Sequence, residues 1–338
     1  MTKISAWAAA APGEQLTPVT LDRGPLGSDE IEIAVDYCGV CHSDLSMLKN
    51  DWGMTTYPLV PGHEAIGRVT AMGSNARGLS VGQRVGIGWT ASSCMYCKPC
   101  KSGDNHLCAT AQPTIVGHAG GFAQTLRSHW TWAIPVPDAL DPSAAGPLLC
   151  GGITVFSPLA SFNLSPTAHV GIVGIGGLGH MALKFANAWG CEVTAFTSNL
   201  SKAEEARSFG AHHVIATHDT DTINKHAGIF DLILVTSNVP LDWAALVNAL
   251  APKGRLHVVG VVLEPMAIDA ISLIMGEKSV SGSPTGSPQT LATMLEFAAR
   301  HKILPQVERY KMSEVNSVMA RLEAGKVRYR AVLEADFG

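Results

Sequence analysis

Over the first part of the chain, apolar and polar residues alternate in short runs: Ile31 to Val40, Ala65 to Gly73 and Val81 to Ile87. A period of two puts one face of a pleated strand into a core. Turn pairs at Pro12-Gly13, Pro61-Gly62 and Gly120-Gly121 separate these runs, so the stretch from Ile4 to about Val136 is predicted to be mainly β, a small irregular barrel. After Cys150 the texture changes. His169 to Gly174 is a β-rich run, then Leu178, Met181, Ala182, Phe185 and Trp189 recur at helical spacing, and a second β-rich run follows at Cys191 to Thr197. The alternation continues with strand Phe230 to Thr236, helix Leu241 to Leu250, strand Arg255 to Val262, helix Ile268 to Met275 and strand Ser279 to Ser283. Six strands make a complete doubly wound parallel sheet and these runs place five of them, so the fold class is α/β. A helix after Ser287 and the tail Glu323 to Phe337 are expected to return to the first domain. The nucleotide-type domain, 151–285, is then inserted between 1–150 and 286–338.

Composition narrows the class. With 46% hydrophobic residues, 15% charged residues and 34 glycines in 338, the chain is a compact, turn-rich enzyme rather than a disordered one. Its net charge of −4 offers no basic field for nucleic acid or an anionic membrane. The N-terminal alanine run is too short for a signal-peptide core, and no stretch approaches the length of a membrane span. The chain is therefore expected to be cytoplasmic. In that compartment the eight cysteines point to metal rather than to disulfides.

Two groups of metal donors stand out. Cys41, His63 and Glu64 lie within one glycine-flanked stretch, and Cys150, in GPLLCGGIT, is the best candidate for a further soft ligand. A catalytic zinc takes three protein ligands and keeps a position for water or substrate. Each of these residues alone would read as a buried thiol or a core histidine. The run SSCMYCKPCKSGDNHLC carries Cys94, Cys97, Cys100 and Cys108, and four thiolates close a tetrahedron, which is the pattern of a structural zinc. An iron–sulfur cluster or an emptied remnant site are the alternatives.

Gly174, Gly176 and Gly179 form G-x-G-x-x-G, with Gly177 and Leu178 between them, in the order strand, turn, helix, strand that a dinucleotide site requires. An NAD site generally has Asp or Glu at the end of the second strand. This strand instead ends Thr197-Ser198-Asn199 with Lys202 just beyond, hydroxyl, amide and cation, which suits the 2′-phosphate of NADP(H). Ser198 could also cap the next helix.

On YCGVCHSD, GHE at Gly62 to Glu64, the four-cysteine lobe, GPLLCGGITV, GIGGLGH and GKVRYRAVL, the chain resembles the zinc-dependent medium-chain alcohol dehydrogenases along its full length, most closely their cinnamyl-alcohol-dehydrogenase branch. The resemblance implies a GroES-like β-barrel catalytic domain with an inserted Rossmann domain, two zinc ions and NADP(H). It implies Cys41, His63 and Cys150 as catalytic zinc ligands, Glu64 as an alternative ligand during exchange, and Asp44 orienting His63. Ser43 would begin a proton relay, His42 and Arg330 would contact the cofactor pyrophosphate, and Thr154 would pack against the nicotinamide. Asp44 could instead only cap a helix at Asp44 to Lys49, and Arg330 could form only a surface ion pair. Trp52 and Trp89 would line the substrate pocket, with Leu273 or Ile274 approaching it; the two tryptophans could also be plain core. Many relatives have a histidine three residues after the relay hydroxyl, where this chain has Ser46. The implied activity is reversible hydride transfer between NADPH and aliphatic or aromatic aldehydes, with reduction favoured. A polyol dehydrogenase and a non-catalytic nucleotide-sensing zinc protein are the rival readings. The edge strand Lys278 to Ser283 suggests a homodimer or homotetramer.

Overall fold

A computed structural model of the chain describes residues 2–337. It divides into two compact units, one formed by the residues up to Ile153 and from Thr285 onward, the other Thr154–Pro284.

The first unit is built on the long strand Glu30–Val40. Ile31, Ile33 and Val35 alternate into the core, as the period of two predicts. The strand pairs antiparallel with Ala65–Met72 on one side and with Arg330–Glu334 and Thr125–His129 on the other, in a sheet that continues to Arg84–Ile87 and to Val307–Lys311. A register shift between Val35 and Tyr37 breaks the alternation, so that Cys38, Gly39 and Val40 are all buried. The strand then delivers Cys41 to the start of the helix His42–Lys49. Phe122, Leu126, Val85, Ile87, Met47 and Leu333 fill the core around it. Helix Pro288–His301 begins at a Ser287 cap and buries Leu291, Met294, Leu295 and Ala298, one face at helical spacing.

The second unit is a six-stranded, all-parallel sheet in the order His213–Ala216, Glu192–Thr197, His169–Val173, Phe230–Val235, Leu250–Val258, Ser279–Gly282. Strand order reverses between His169–Val173 and Phe230–Val235, the switch point at which doubly wound sheets bind ligands. Covered on both faces, these strands are near-continuous apolar runs. Phe196 and Phe230 meet edge to face at 5.4 Å in its core.

Several boundaries differ from the sequence reading. His213–Ala216 is a strand that no predicted range covers. The strand predicted at Val81 to Ile87 begins at Arg84, after a turn at Gly82. The helix expected at Leu241 to Leu250 is Trp243–Ala249, starting where the Asp242 side chain accepts from Ala245 N. The following strand is Leu250–Val258, not Arg255 to Val262: Leu250 already pairs with Phe230, and beyond Val258 the amides of Val259 and Gly260 both turn to Val235 O. The helix expected from Ile268 is Ala270–Ile274, capped by Asp269. Side-chain caps, not hydrophobic period, set the starts of these two helices. Among the described residues no single helix is long and apolar enough to cross a membrane.

A ladder of polar contacts ties the last two strands of the parallel sheet together. Arg255 Nε donates to Ser279 Oγ at 3.1 Å, and His257 lies 2.9 Å from both Ser281 Oγ and Ser283 Oγ. Burial, reinforced by the Arg255 charge, lowers the His257 pKa from 6.5 to about 4. The folded imidazole thus binds protons more weakly than the unfolded one, so its contribution to stability is complete above 6.5 and is lost as pH falls toward 4. Between neutral pH and pH 4, the urea stability of the wild type should fall by up to about 3 kcal/mol more than that of His257→Gln. Parallel profiles for the two proteins would show that another group titrates.

Candidate active site

Cys41 Sγ lies 3.9 Å from Cys150 Sγ, and His63 Nε2 lies 3.3 Å from Cys150 Sγ. With a Glu64 carboxylate oxygen, the four donor atoms fall within 4.8 Å of one another, on side chains that are all buried. A tetrahedral zinc with Zn–S bonds of about 2.3 Å holds its sulfurs about 3.8 Å apart, so the donor set fits that ion in both chemistry and spacing. Glu64 Oε2 adds a second sign, a buried oxygen with no hydrogen-bond partner.

The local fold fixes each donor. Asp44, in the first turn of the helix His42–Lys49, is fully buried and accepts from three sides: Cys41 N at 2.9 Å, Gly62 N at 2.9 Å, and His63 Nδ1 at 2.9 Å. A carboxylate can only accept, so Nδ1 carries a proton toward Asp44, and Nε2 is the ring nitrogen turned to the thiols. Asp44 therefore caps the helix and orients His63 together. Trp89 meets the His63 ring edge to face at 5.1 Å, and Trp52 meets Trp89 at 6.1 Å, giving an apolar wall. Ser43 Oγ is 3.7 Å from Cys41 Sγ, while Ser46 is buried one turn later.

The second donor group is the lobe of Cys94, Cys97, Cys100 and Cys108, whose sulfurs also lie within 4.8 Å of one another. Met95 at φ 64° and Gly103 at φ 86° make the turns that fold it back. Hydrogen bonds from the Cys94 backbone and from Thr110 lower the Cys108 pKa to about 6, toward the thiolate a metal needs.

In the second unit, Gly174 takes φ 90°, and a Cβ at Gly179 would lie 1.8 Å from Gly174 O, so neither position admits another residue. A Cβ at Gly176 would meet nothing within 4 Å, so the backbone there is open to a ligand. Helix Gly179–Trp189 starts at this turn and presents its N-terminal amides to the same space. Thr197, at the end of the second strand, is buried and bonded to Asn199 N. The turn Leu200–Lys202 is capped by Asn199 Oδ1, which accepts from Ser201 N at 2.9 Å; Ser198 does not cap it and stays exposed.

The known proteins agree with this chemistry. Residues 27–138 match the family described as Alcohol dehydrogenase GroES-like domain, and residues 177–300 match Zinc-binding dehydrogenase. The chain is 51% identical over 330 residues to aldehyde reductase AdhA of Synechocystis, covering 98% of each. The chain belongs to the zinc-dependent medium-chain alcohol dehydrogenase family. A cinnamyl alcohol dehydrogenase of Sorghum bicolor superposes with a TM-score of 0.94 at 36% identity, over 98% of each chain. A CAD from Helicobacter pylori, solved complexed with NADP(H), superposes at 0.89 and 28% identity, again over 98% of each. This dehydrogenase stands in the cinnamyl-alcohol-dehydrogenase-like branch. It is an NADP-dependent alcohol dehydrogenase or aldehyde reductase of small-molecule substrates, with zinc and NADP(H) as cofactors.

The remaining expected residues are placed as follows in the dehydrogenase. His42 is exposed at the first position of its helix. Thr154 is buried, its hydroxyl donating to Pro284 O at 3.2 Å. Leu273 packs on the core of the parallel-sheet unit, whereas Ile274 is 68% exposed. Arg330 is not in a surface ion pair: it is 4% exposed, donates to Val40 O at 3.3 Å and is paired with Glu64. Nothing in the sequence announced that pair, which joins residues 266 positions apart.

The charges of the donors are interdependent. Burial pushes the Glu64 carboxyl up to about 7, against the pull of Arg330. A hydrogen bond from Cys150 lowers Cys41 well below the ordinary thiol value despite burial, and the same shared proton raises Cys150. Burial opposes a charge on His63, but the Asp44 charge and hydrogen bond outweigh it and hold its pKa well above 6.5. One thiolate is thus already favoured beside the oriented imidazole. Asp44→Asn should weaken zinc binding at this group by about 10- to 100-fold, read by competition with a chromogenic chelator. Unchanged retention at both zinc sites would reduce Asp44 to a helix cap.

Proposed function

We propose that this dehydrogenase works mainly as an NADPH-dependent reductase of unbranched aliphatic and aromatic aldehydes. In this reading Cys41, His63 and Cys150 hold the reactive zinc, Glu64 serves as an alternative ligand during exchange, and Cys94, Cys97, Cys100 and Cys108 hold a structural zinc. The observation that carries the reading is the convergence of two thiols, an imidazole and an orphaned carboxylate oxygen within 4.8 Å.

When bound, the zinc polarises the carbonyl as a Lewis acid and NADPH provides the hydride. Asp44 keeps His63 in the tautomer that ligates. Ser43, beside Cys41, passes a proton to the oxygen of the product alcohol. Trp52 and Trp89 exclude water and favour apolar chains and rings, since the hydroxyls of a polyol would be left without partners against them. Cys150 as third donor also speaks against a polyol dehydrogenase, which commonly has a carboxylate there.

For the cofactor, Gly174, Gly176, Gly177, Leu178 and Gly179 cradle the pyrophosphate, with His42 and Arg330 as further contacts, and Thr154 packs against the nicotinamide. Thr197, Ser198, Asn199 and Lys202 receive the 2′-phosphate, and the exposed Ser198 hydroxyl supports this assignment. The deciding experiment follows NADPH consumption with benzaldehyde, cinnamaldehyde and butanal, beside NADH, before and after zinc chelation. Chelator-sensitive turnover with NADPH preference is expected, and Lys202→Ala should raise KM for NADPH about tenfold while sparing NADH. Absence of turnover with zinc present would favour a nucleotide-sensing zinc protein.

For assembly we propose a homodimer, or a tetramer built from dimers, paired through the sheet edge at Ser279–Gly282. The exposed apolar residues Leu263, Ile271, Ile274 and Met275 of the same unit support a covered face there. Sedimentation should show a species of at least twice the chain mass; a species at 35.5 kDa would overturn the assignment.

A further inference from the structure

The glycine turn carries few side chains able to hold its backbone in one orientation, and glycine-rich backbone is costly to order. Two groups outside the turn do so at its carbonyls. Thr236 Oγ1 donates to Gly174 O at 2.7 Å. His180, one residue into the helix, approaches Gly176 O twice: its backbone N donates at 3.1 Å and its Nδ1 lies 3.0 Å away. A carbonyl oxygen can only accept, so Nδ1 bears the proton, and both lone pairs of Gly176 O are used.

The ring is held in place for this. His180 is 0% exposed and meets Phe209 edge to face at 5.6 Å, while Lys184 Nζ, one turn along, lies 5.2 Å from the centre of the same phenyl ring. His180 lies across the helix from the apolar stripe of Leu178, Met181, Ala182, Phe185 and Trp189, and its Nδ1 is turned to the glycine turn.

We propose that His180 is a positioning residue for the cofactor pyrophosphate, acting through the Gly176–Gly177 peptide. In a planar trans peptide, C=O and N–H point in opposite directions. Gly176 O is drawn toward the helix by two donors, so the Gly177 N–H is aimed the other way, out of the helix N-terminus, where its free amides favour an anion. The backbone at Gly176 is the part left open to a ligand. His180 therefore sets the direction of a donor that it does not itself provide. The inference rests on the reading of this turn as the pyrophosphate site.

The test is fluorescence titration of NADPH and NADH onto zinc-loaded His180→Leu and His180→Asn enzymes, with ¹⁵N spectra of the wild-type imidazole. Leucine preserves burial without an N–H, whereas the asparagine amide can stand where Nδ1 stands. His180→Leu should raise Kd about tenfold for both nucleotides, because both carry the pyrophosphate, and His180→Asn should stay within about threefold of the wild type. The wild-type imidazole should show a protonated Nδ1. Equal weakening by both variants, wild-type-like binding by His180→Leu, or an Nε2–H tautomer would overturn the proposal. Failure of the wild type to bind either nucleotide would instead overturn the reading of the turn.

Discussion

Around the metal donors, the structure depends on one buried carboxylate. Asp44 takes hydrogen bonds from Cys41 N, Gly62 N and His63 Nδ1, and so ties the end of the central strand, the first turn of a helix and the loop before Ala65 into one rigid corner. Hydrogen bonds to a charged acceptor are the stronger class, worth about 1.5–3 kcal/mol each, and three of them offset the cost of burying the charge. A thiol and an imidazole from different segments are thereby presented at fixed distance before any ion arrives. Preorganisation of this kind is what separates a site from a chance meeting of ligating side chains.

A second buried pair works beside the first. Glu64 and Arg330 come from opposite ends of the chain, and their pairing joins the C-terminal strand Arg330–Glu334 to the metal corner. The pair leaves one Glu64 oxygen unsatisfied, a state that a buried carboxylate rarely tolerates without function. The chain's return to the first unit is therefore more than a closing of the sheet: it supplies the positive charge that opposes the upward push of burial on the Glu64 carboxyl.

Much of this was legible in the sequence where chemistry and spacing coincide. Four cysteines in fifteen residues, a glycine turn between strand and helix, and a thiol beside a histidine each need particular residue types at fixed intervals, and the fold places them accordingly. What the sequence did not show was decided by long-range geometry or by single hydrogen bonds. The Glu64–Arg330 pair has no local signature, and Asn199 rather than Ser198 caps the turn after the second strand because Asn199 is the residue immediately before it. The strand His213–Ala216 is only four residues long, so periodicity cannot single it out even though Gly210 turns the chain just before it. His180 falls outside the apolar stripe of its helix and carries no motif of its own, so only the position of its Nδ1 reveals its role.

The register shift between Val35 and Tyr37 divides the strand Glu30–Val40 by what each part can afford to change. Before the shift, Ile31, Ile33 and Val35 are ordinary core residues for which volume-conserving exchange is tolerable. Beyond it, a Cβ on Gly39 would fall 2.0 Å from Oε2 of Glu64, one of the metal donors. Within a single strand, sequence drift can thus proceed freely at one end while the other stays frozen, so divergence among copies of this fold should be graded along the strand rather than uniform across the sheet.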